Sequence, residues 1–274
     1  MSMTDMPPRT LSRALARVVT ELELEQPTLV SLDDLAELAR RHGLGTHVRE
    51  LARRLRVQGW LLPTGRPGVF EFAPGAHAGP YGHGDPFIQL RAELRAVPDL
   101  PVRLALVSAL WAHGLADRAP DRHEVSLPPR APAPAPLRRA FRLVRFDPRC
   151  VATDLNGVPS STAATLLVHL AARPTDVHGW SQFGEVLPDL VERSTVEELR
   201  EELTGRPATV QARLGYLLQG IATEVSEELG LRPGRGTVWF GPRDKLLRFD
   251  NRWNVADTVL PFDPRLPGDP EVLL

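Results

Sequence analysis

The sequence of 274 residues contains one cysteine, one lysine and no long hydrophobic run. A single cysteine, Cys150, excludes a disulfide framework and a cysteine-based zinc site. The longest apolar segment, residues 102–115, is interrupted by polar side chains and falls short of the roughly 20 apolar residues that span a membrane. The opening residues MSMTDMPPRT contain no apolar signal core, so we expect a cytoplasmic protein with no membrane partner.

Sequence motifs of catalysis and cofactor binding are absent as well. The chain has no G-x-x-x-x-G-K-[ST], H-E-x-x-H, G-x-S-x-G or G-x-G-x-x-G. Cys150 has no evident histidine partner, which favours a buried structural thiol over a nucleophile. His77 and His83 lie in a Gly- and Pro-rich stretch without a carboxylate pair, which favours a solvated loop over a metal site. We therefore expect no enzyme activity, no cofactor and no metal.

The charge is nearly balanced in total but not along the chain. With 33 basic and 34 acidic side chains the net charge is -1. Residues 1–39 carry three Arg and seven acids, whereas residues 40–66 carry seven Arg and one acid. Residues 130–149 carry six Arg and one acid, and from residue 150 onward twelve basic face eighteen acidic residues. The dominance of arginine points first to a GC-rich coding sequence, but composition alone would not segregate charge.

The first 73 residues predict three helices followed by two short strands. Apolar residues recur with helical spacing from residue 11 to residue 22, and Ser31 with Asp34 predicts a capping box for a second helix. After a turn with two glycines, a third helix begins with Thr46 as its N-cap. Residues 60–63 and 69–72 then flank a turn. This order predicts a winged helix-turn-helix.

The third predicted helix carries a basic face. At 3.6 residues per turn, Arg49, Arg53 and Arg56 share one exposed side, opposite a buried apolar stripe. Guanidinium groups on such a helix suit phosphates and guanine in the major groove, so we predict DNA binding. The full predicted set adds the flanking residues and the tip of the wing, and comprises Thr46, His47, Arg49, Arg53, Arg54, Arg56 and Arg66. A solvated charged helix and a protein-interaction module are the alternatives.

A second basic patch is predicted further along the chain, at Arg138, Arg139, Arg142 and Arg145. If residues 137–146 form a strand, these arginines divide between its two faces. The patch would either extend the DNA footprint or meet an acidic or nucleic-acid partner.

The remainder of the chain predicts a mixed domain, so the expected fold class is α+β, with an N-terminal winged helix-turn-helix followed by a mixed α/β C-terminal domain. We divide the chain into a flexible tail (1–9), the winged helix (10–73), a linker (74–86) and the C-terminal domain (87–274). Within this last domain, helices are predicted at 87–97, 102–115, 160–170 (capped by Ser160 or Ser161), 194–203 (opened by a Ser194–Glu197 capping box) and 207–229. Strands are predicted at 125–127, 141–146, 237–240, 246–249 and 253–255, with a polyproline-like connector at 128–136.

Three segments of the C-terminal domain carry a family resemblance. They are residues 104–115 (LALVSALWAHGL), 211–218 (QARLGYLL) and 251–255 (NRWNV). Together with the domain order, they resemble the AbiEi antitoxins of the AbiE type IV toxin-antitoxin systems. The proline-rich run at 128–136 departs from that pattern.

The resemblance implies a DNA-binding antitoxin that represses its own operon at inverted repeats in double-stranded promoter DNA. It also implies that the C-terminal domain neutralises a cognate nucleotidyltransferase toxin without forming a stable complex with it. A stand-alone transcription regulator without a toxin, or a winged-helix protein-interaction module, is the alternative. The toxin's own Gly-Ser and paired-Asp signature is absent.

Overall fold

The structure, a computed structural model, describes residues 12–45, 47–75 and 85–266. The predicted tail, Thr46, and most of the predicted linker with His77 and His83 lie outside these residues. The chain divides into two compact units. The N-terminal unit runs to Leu100 and also contains Pro134–Ala140, and the C-terminal unit comprises Pro101–Ala133 and the residues from Phe141 onward. The boundary expected at residue 87 differs from this division.

The helices of the described chain are α1 (Arg13–Glu25), α2 (Leu32–Arg41), α3 (Val48–Val57), α4 (Ile88–Ala96), α5 (Leu106–Ala112), α6 (Ala135–Ala140), α7 (Ala163–Ala172), α8 (Trp180–Glu192), α9 (Val196–Leu203), α10 (Ala208–Leu218) and α11 (Thr223–Glu228). The strands are β1 (Leu29–Ser31), β2 (Leu61–Pro63), β3 (Val69–Phe72), β4 (Arg103–Leu104), β5 (Glu124–Leu127), β6 (Arg142–Arg145), β7 (Thr153–Asp154), β8 (Pro159–Ser160), β9 (Val238–Phe240), β10 (Arg248–Asp250) and β11 (Val255–Asp257).

The N-terminal unit packs its first three helices on a small antiparallel sheet. The strand order is β1-β3-β2, with Leu29 opposite Glu71 and Leu61 opposite Phe72. The sequence predicted only β2 and β3, because β1 is a three-residue strand directly before α2. The apolar stripes of α1, α2 and α3 meet in one core with Trp60 and Phe70. This order of elements is consistent with a winged helix-turn-helix.

The connection between α2 and α3 is determined by local chemistry. The predicted capping box is present: the backbone N–H of Asp34 donates to Ser31 Oγ at 3.1 Å, and that of Ser31 donates to Asp34 Oδ2 at 2.7 Å. At the other end of α2, Gly43 adopts φ +64°, a conformation that glycine reaches without strain. The Leu44 N–H then donates to the Ala39 carbonyl at 2.8 Å, which closes the turn.

The described residues of the C-terminal unit form two sheets. The larger has five strands in the order β6-β5-β4-β8-β7, and the smaller has the order β10-β11-β9. Both are mixed: β5 pairs parallel with β6 and antiparallel with β4, while β11 pairs parallel with β9 and antiparallel with β10. Helix α7 is buried along most of its length and contacts α8, α9 and α10.

Several predicted elements of this unit are shifted or of a different type. The predicted helix at 102–115 begins with β4, and the proline-rich run ends inside α6 rather than in an extended connector. Helix α7 begins after Thr162, not at Ser160 or Ser161, because those two residues enter or follow β8. The second capping box forms one residue later than predicted, between Thr195 and Glu198. Helix α8 was not predicted.

The predicted helix at 207–229 is divided into α10 and α11. A Cβ on Gly220 would lie 2.3 Å from the Pro264 carbonyl oxygen, so the chain near residue 264 passes directly against this point. Within α10, a Cβ on Gly215 would lie 2.3 Å from the ring of Trp253. These two glycines therefore allow Trp253 to lie against α10 and the chain at Pro264 to lie against the residues that follow α10.

The predicted fold class, α+β with an N-terminal helical region compatible with a winged helix-turn-helix, is confirmed. Among the described residues, none of the helices combines the length and the apolar character that crossing a membrane requires.

Candidate nucleic-acid interface

Helix α3 turns one face to the core and the other to solvent. Leu51, Ala52 and Leu55 are buried in the core of the N-terminal unit. The helix begins at Val48, after His47, which lies at the N-cap position and makes no capping hydrogen bond with its side chain. The N-cap predicted at Thr46 is thus displaced by one residue, and Thr46 itself lies outside the described residues. His47 is exposed.

The structure places the three predicted face residues, Arg49, Arg53 and Arg56, on the solvent side of α3. Among the described residues, no hydrogen bond or ion pair holds the side chain of Arg49. The guanidinium of Arg56 lies 5.8 Å from the ring centroid of Phe70 on β3. This distance is within the range of a cation–π contact. The three arginines therefore share an exposed face, and one of them, Arg56, contacts the wing, the hairpin of residues 61–72.

Glu50 is the residue of this face that the sequence reasoning missed. Its carboxylate accepts hydrogen bonds from Arg53 Nε at 2.7 Å and Arg53 Nη2 at 2.8 Å, and from Arg54 Nε at 2.9 Å. Hydrogen bonds from Arg53, and then from Arg54, lower the pKa of Glu50 to about 2. The sequence does indicate these ion pairs, because a glutamate three and four residues before an arginine has the spacing of helical ion pairs.

The wing is more strongly anchored than the sequence suggested. Thr64 is buried, and its hydroxyl donates to the Val69 carbonyl at 2.8 Å across the turn. Arg66 was expected to be exposed at the wing tip, and this is wrong: it is partly buried, and its Nη1 donates to Glu93 Oε2 at 2.8 Å. Glu93 lies on α4 and is fully buried. The partner is 27 positions away, so no local pattern indicates it.

The second predicted basic patch is not a single surface. Residues 137–146 do not form one strand: Arg138 and Arg139 are exposed on α6 in the N-terminal unit, whereas Arg142 and Arg145 lie on β6 in the C-terminal unit. Arg142 pairs with the buried carboxylate of Glu124 and donates to the Asp176 carbonyl.

Arg145 is likewise occupied inside the C-terminal unit. It donates to the carbonyl oxygens of Pro128 at 3.1 Å and Ala131 at 2.8 Å. The expectation of one patch is therefore wrong, because two of its four members bind buried or backbone oxygens of their own unit.

Nucleophilic and metal chemistry has little support in the described chain. Cys150 is buried, and burial, with the nearby Glu202, raises the pKa of its thiol to about 12. The thiol therefore stays neutral, as expected for a structural cysteine. In the ranges that the structure covers, no three His, Cys, Asp or Glu side chains are grouped so as to hold a metal ion.

Comparisons with known proteins agree with this architecture. The family model described as the AbiEi antitoxin C-terminal domain matches residues 103–220. The crystal structure of the RV2827C protein from Mycobacterium tuberculosis superposes with a TM-score of 0.80 at 26% sequence identity, covering 95% of this chain and 96% of that one. No match is found among curated proteins. The matched residues lie almost entirely in the C-terminal unit.

Proposed function

We propose that this protein, whose residues 103–220 match the family model of the AbiEi antitoxin C-terminal domain, is a DNA-binding repressor of its own promoter. We propose further that it acts as the antitoxin of a nucleotidyltransferase toxin. The family match supports membership of an antitoxin and regulator family. DNA recognition and the identity of the toxin belong to the proposal.

The observation that carries the DNA-binding part is the position of the arginines on α3. Arg49, Arg53 and Arg56 are exposed on α3, which follows α2 and a turn, while the opposite face of α3 is held in the core. A helix held in this way can enter the major groove with its side chains at the base edges. Arginine can donate two hydrogen bonds to guanine and also neutralise phosphates.

Residues around this face form the wider proposed contact set. Thr46 and His47 precede α3, Arg54 lies on its flank, and Arg66 lies in the wing. Arg53, Arg54 and Arg66 are ion-paired in the free protein, so their use on DNA requires exchange of those partners. We assign the larger share of binding to Arg49, which has no partner to exchange within the described residues.

The proposed DNA ligand is double-stranded promoter DNA with inverted repeats. The chain carries a net charge of only -1, which disfavours indiscriminate binding of polyanions because non-specific affinity depends on total phosphate neutralisation. Within the first 100 residues, arginines are most concentrated at residues 40–66, which carry seven Arg and one acid. This distribution supports recognition by one surface.

For the C-terminal unit, the family match supports a functional toxin partner. We propose that the partner is a nucleotidyltransferase encoded next to this gene, neutralised without a stable complex. Co-expression with that neighbour tests it: the proposal expects growth to be rescued without co-purification of the two proteins. Toxicity that persists in the presence of this chain would refute the antitoxin role.

The DNA-binding proposal is tested with a duplex from the region upstream of the gene and a scrambled duplex of equal composition. We expect the wild type to prefer the upstream duplex, and the Arg49→Ala, Arg53→Ala, Arg56→Ala triple variant to lose this binding while its circular dichroism spectrum is retained. Arg13→Ala with Arg17→Ala is the control, since both are exposed on α1.

Unchanged affinity of the triple variant would refute the assignment of α3. If the wild type bound neither duplex but co-purified in high salt with a neighbouring gene product, the protein-interaction alternative would replace DNA binding. Preference for the upstream duplex without any toxic neighbour would indicate a stand-alone regulator.

A further inference from the structure

Glu50 lies among the arginines that we propose to contact DNA. It is the third residue of α3, and one carboxylate holds the guanidinium groups of both Arg53 and Arg54. The three distances of 2.7, 2.8 and 2.9 Å are short, as expected of charge-assisted hydrogen bonds. The carboxylate therefore occupies Nε and Nη2 of Arg53 and Nε of Arg54, which would otherwise be available to phosphates.

The position of Glu50 along the helix matters as much as its partners. In helix-turn-helix proteins the N-terminal residues of the second helix reach the base edges. Glu50 is in the first turn of α3, directly after Arg49 and on the solvent side, with about a third of its side chain exposed. An ionised carboxylate at this position would therefore be carried into the groove with the arginines.

A carboxylate in a DNA groove has few favourable partners. Phosphates repel it, and most base edges in the major groove present acceptors, such as N7 and O6 of guanine and O4 of thymine. The amino groups of cytosine N4 and adenine N6 are donors, but adenine also presents the acceptor N7, which repels a carboxylate. Cytosine N4 is therefore the donor that suits glutamate. Without cytosine at the contacted position, the carboxylate would lack this partner once Arg53 and Arg54 turn to the DNA.

We propose, on the basis of the proposed DNA binding, that Glu50 is a specificity-determining residue. It accepts a hydrogen bond from a cytosine N4 amino group in the bound duplex, and in the free protein it holds Arg53 and Arg54 away from general phosphate contacts. The carboxylate thus lowers affinity for unspecific DNA and favours cytosine at one position of the site.

Glu50 also has a merely structural interpretation, which the experiment must separate. An acidic residue in the first turn favours helix formation, and glutamate–arginine pairs three and four residues apart stabilise a helix. Helix α2 provides the matched control, because Glu37 there pairs with Arg40 and Arg41 at the same two spacings. Glu37→Gln removes an equal charge from the preceding helix.

The test compares wild type, Glu50→Gln and Glu37→Gln on the upstream and scrambled duplexes over a range of salt concentrations. We expect Glu50→Gln to bind the scrambled duplex more tightly, with the magnitude of the salt slope increased by about one. The ratio of the two affinities should fall about tenfold, the loss expected for one good base contact. Glu37→Gln should leave the ratio unchanged.

A selection from random duplexes identifies the base. The wild type is expected to enrich cytosine at one position of each half-site, and Glu50→Gln to lose that preference while the other positions remain. Glu50→Ala repeats the measurement with the side chain shortened, and thermal melting of each variant shows that it is folded.

An unchanged affinity ratio in both Glu50 variants would overturn the inference while leaving DNA binding intact. The inference would also be overturned if the wild type enriched another base at that position, or if Glu37→Gln lowered the affinity ratio as much as Glu50→Gln does. If the wild type itself did not prefer the upstream duplex, the proposed function would fail first, and Glu50 would have no specificity to determine.

Discussion

Arg66, in the turn of the wing, donates a 2.8 Å hydrogen bond to the carboxylate of Glu93, which is fully buried on α4. Glu93 uses one oxygen for this bond, and its other oxygen has no partner among the described residues. Removal of one partner from a buried ion pair leaves an uncompensated charge. The wing and α4 are therefore linked by a contact whose loss affects stability.

We predict that Arg66→Ala destabilises the protein by about 3 kcal/mol, because the buried Glu93 loses the cation that pairs with it. Denaturant unfolding followed by circular dichroism measures the change. The double variant Arg66→Ala, Glu93→Gln removes the buried charge and should recover most of the loss. A single variant as stable as the wild type would contradict the assigned role of this pair.

Arg49 is expected to contribute to DNA binding as a separate phosphate or base contact. Arg49→Ala should weaken binding of the upstream duplex, and if the contact is to phosphate it should reduce the magnitude of the salt slope by about one. Fluorescence anisotropy titrations at several salt concentrations give both quantities. Arg13→Ala on α1 is the matched control, and a slope equal in both variants would argue against Arg49 as a phosphate contact.

The carboxylate of Glu202 is a buried anion within the C-terminal unit, and hydrogen-bond donors surround it. Its Oε1 accepts hydrogen bonds from the backbone N–H groups of Arg149 and Cys150 and from the Thr165 hydroxyl, and its Oε2 accepts one from Arg206. Burial alone would raise the pKa of Glu202, but the bonds from Thr165 and Arg206 and from the backbone outweigh it, so the pKa is lowered.

We predict that Glu202→Gln destabilises the protein by about 3 kcal/mol at neutral pH, since charge-assisted bonds are lost and Arg206 is left without its anion. A lowered folded-state pKa gives stability that is present above the unfolded value, near 4.5, and is lost as the pH falls toward the folded value. The difference between variant and wild type should therefore shrink on acidification below about pH 5. A stability difference that does not change with pH would contradict the assigned role of the ionised Glu202 carboxylate.

Gly215 is predicted to tolerate no side chain. In Gly215→Ala the new methyl group would meet the Trp253 ring at 2.3 Å, and overpacking of this kind costs about 1–3 kcal/mol or more. Gly236→Ala is the control, because a Cβ there has no neighbour within 4 Å. Thermal melting of both variants measures the difference, and equal melting temperatures would show that the ring moves aside freely.

The contact between Gly215 and Trp253 joins two of the segments on which the family resemblance was based. The segments 211–218 and 251–255 were two of the three that carried the family resemblance, and Gly215 packs directly on Trp253. Their residue types were visible in the sequence, but their proximity was not. The small residue is required because an indole ring occupies the space that a side chain would fill.

Local periodicity was sufficient for the N-terminal helices. The stripes of α1, α2 and α3 and the capping box of Ser31 follow from residues within four positions of each other. The division between α10 and α11 was not predictable in this way, because the apolar spacing continues through Ile221 and Val225. The break is determined by the approach of the chain near Pro264 to Gly220.

In the candidate site, too, contacts between residues close in sequence could be predicted and contacts between distant residues could not. The arginine face of α3 follows from helical spacing, and Glu50 could have been found by the same rule. Arg66 and Arg142 could not be assigned correctly, because their partners Glu93 and Glu124 lie 27 and 18 positions away. Composition makes such arginines appear available, whereas buried carboxylates have already bound them.

Helix α6, which the chain inserts between two parts of the C-terminal unit, belongs to the N-terminal unit and contacts α4 there. The polypeptide therefore passes between the two units three times. A gene fragment ending at residue 100 would encode the N-terminal unit without one of its helices. Exchange of this unit between genes by a single crossover would separate α6 from α4, so we expect the two units to be inherited together.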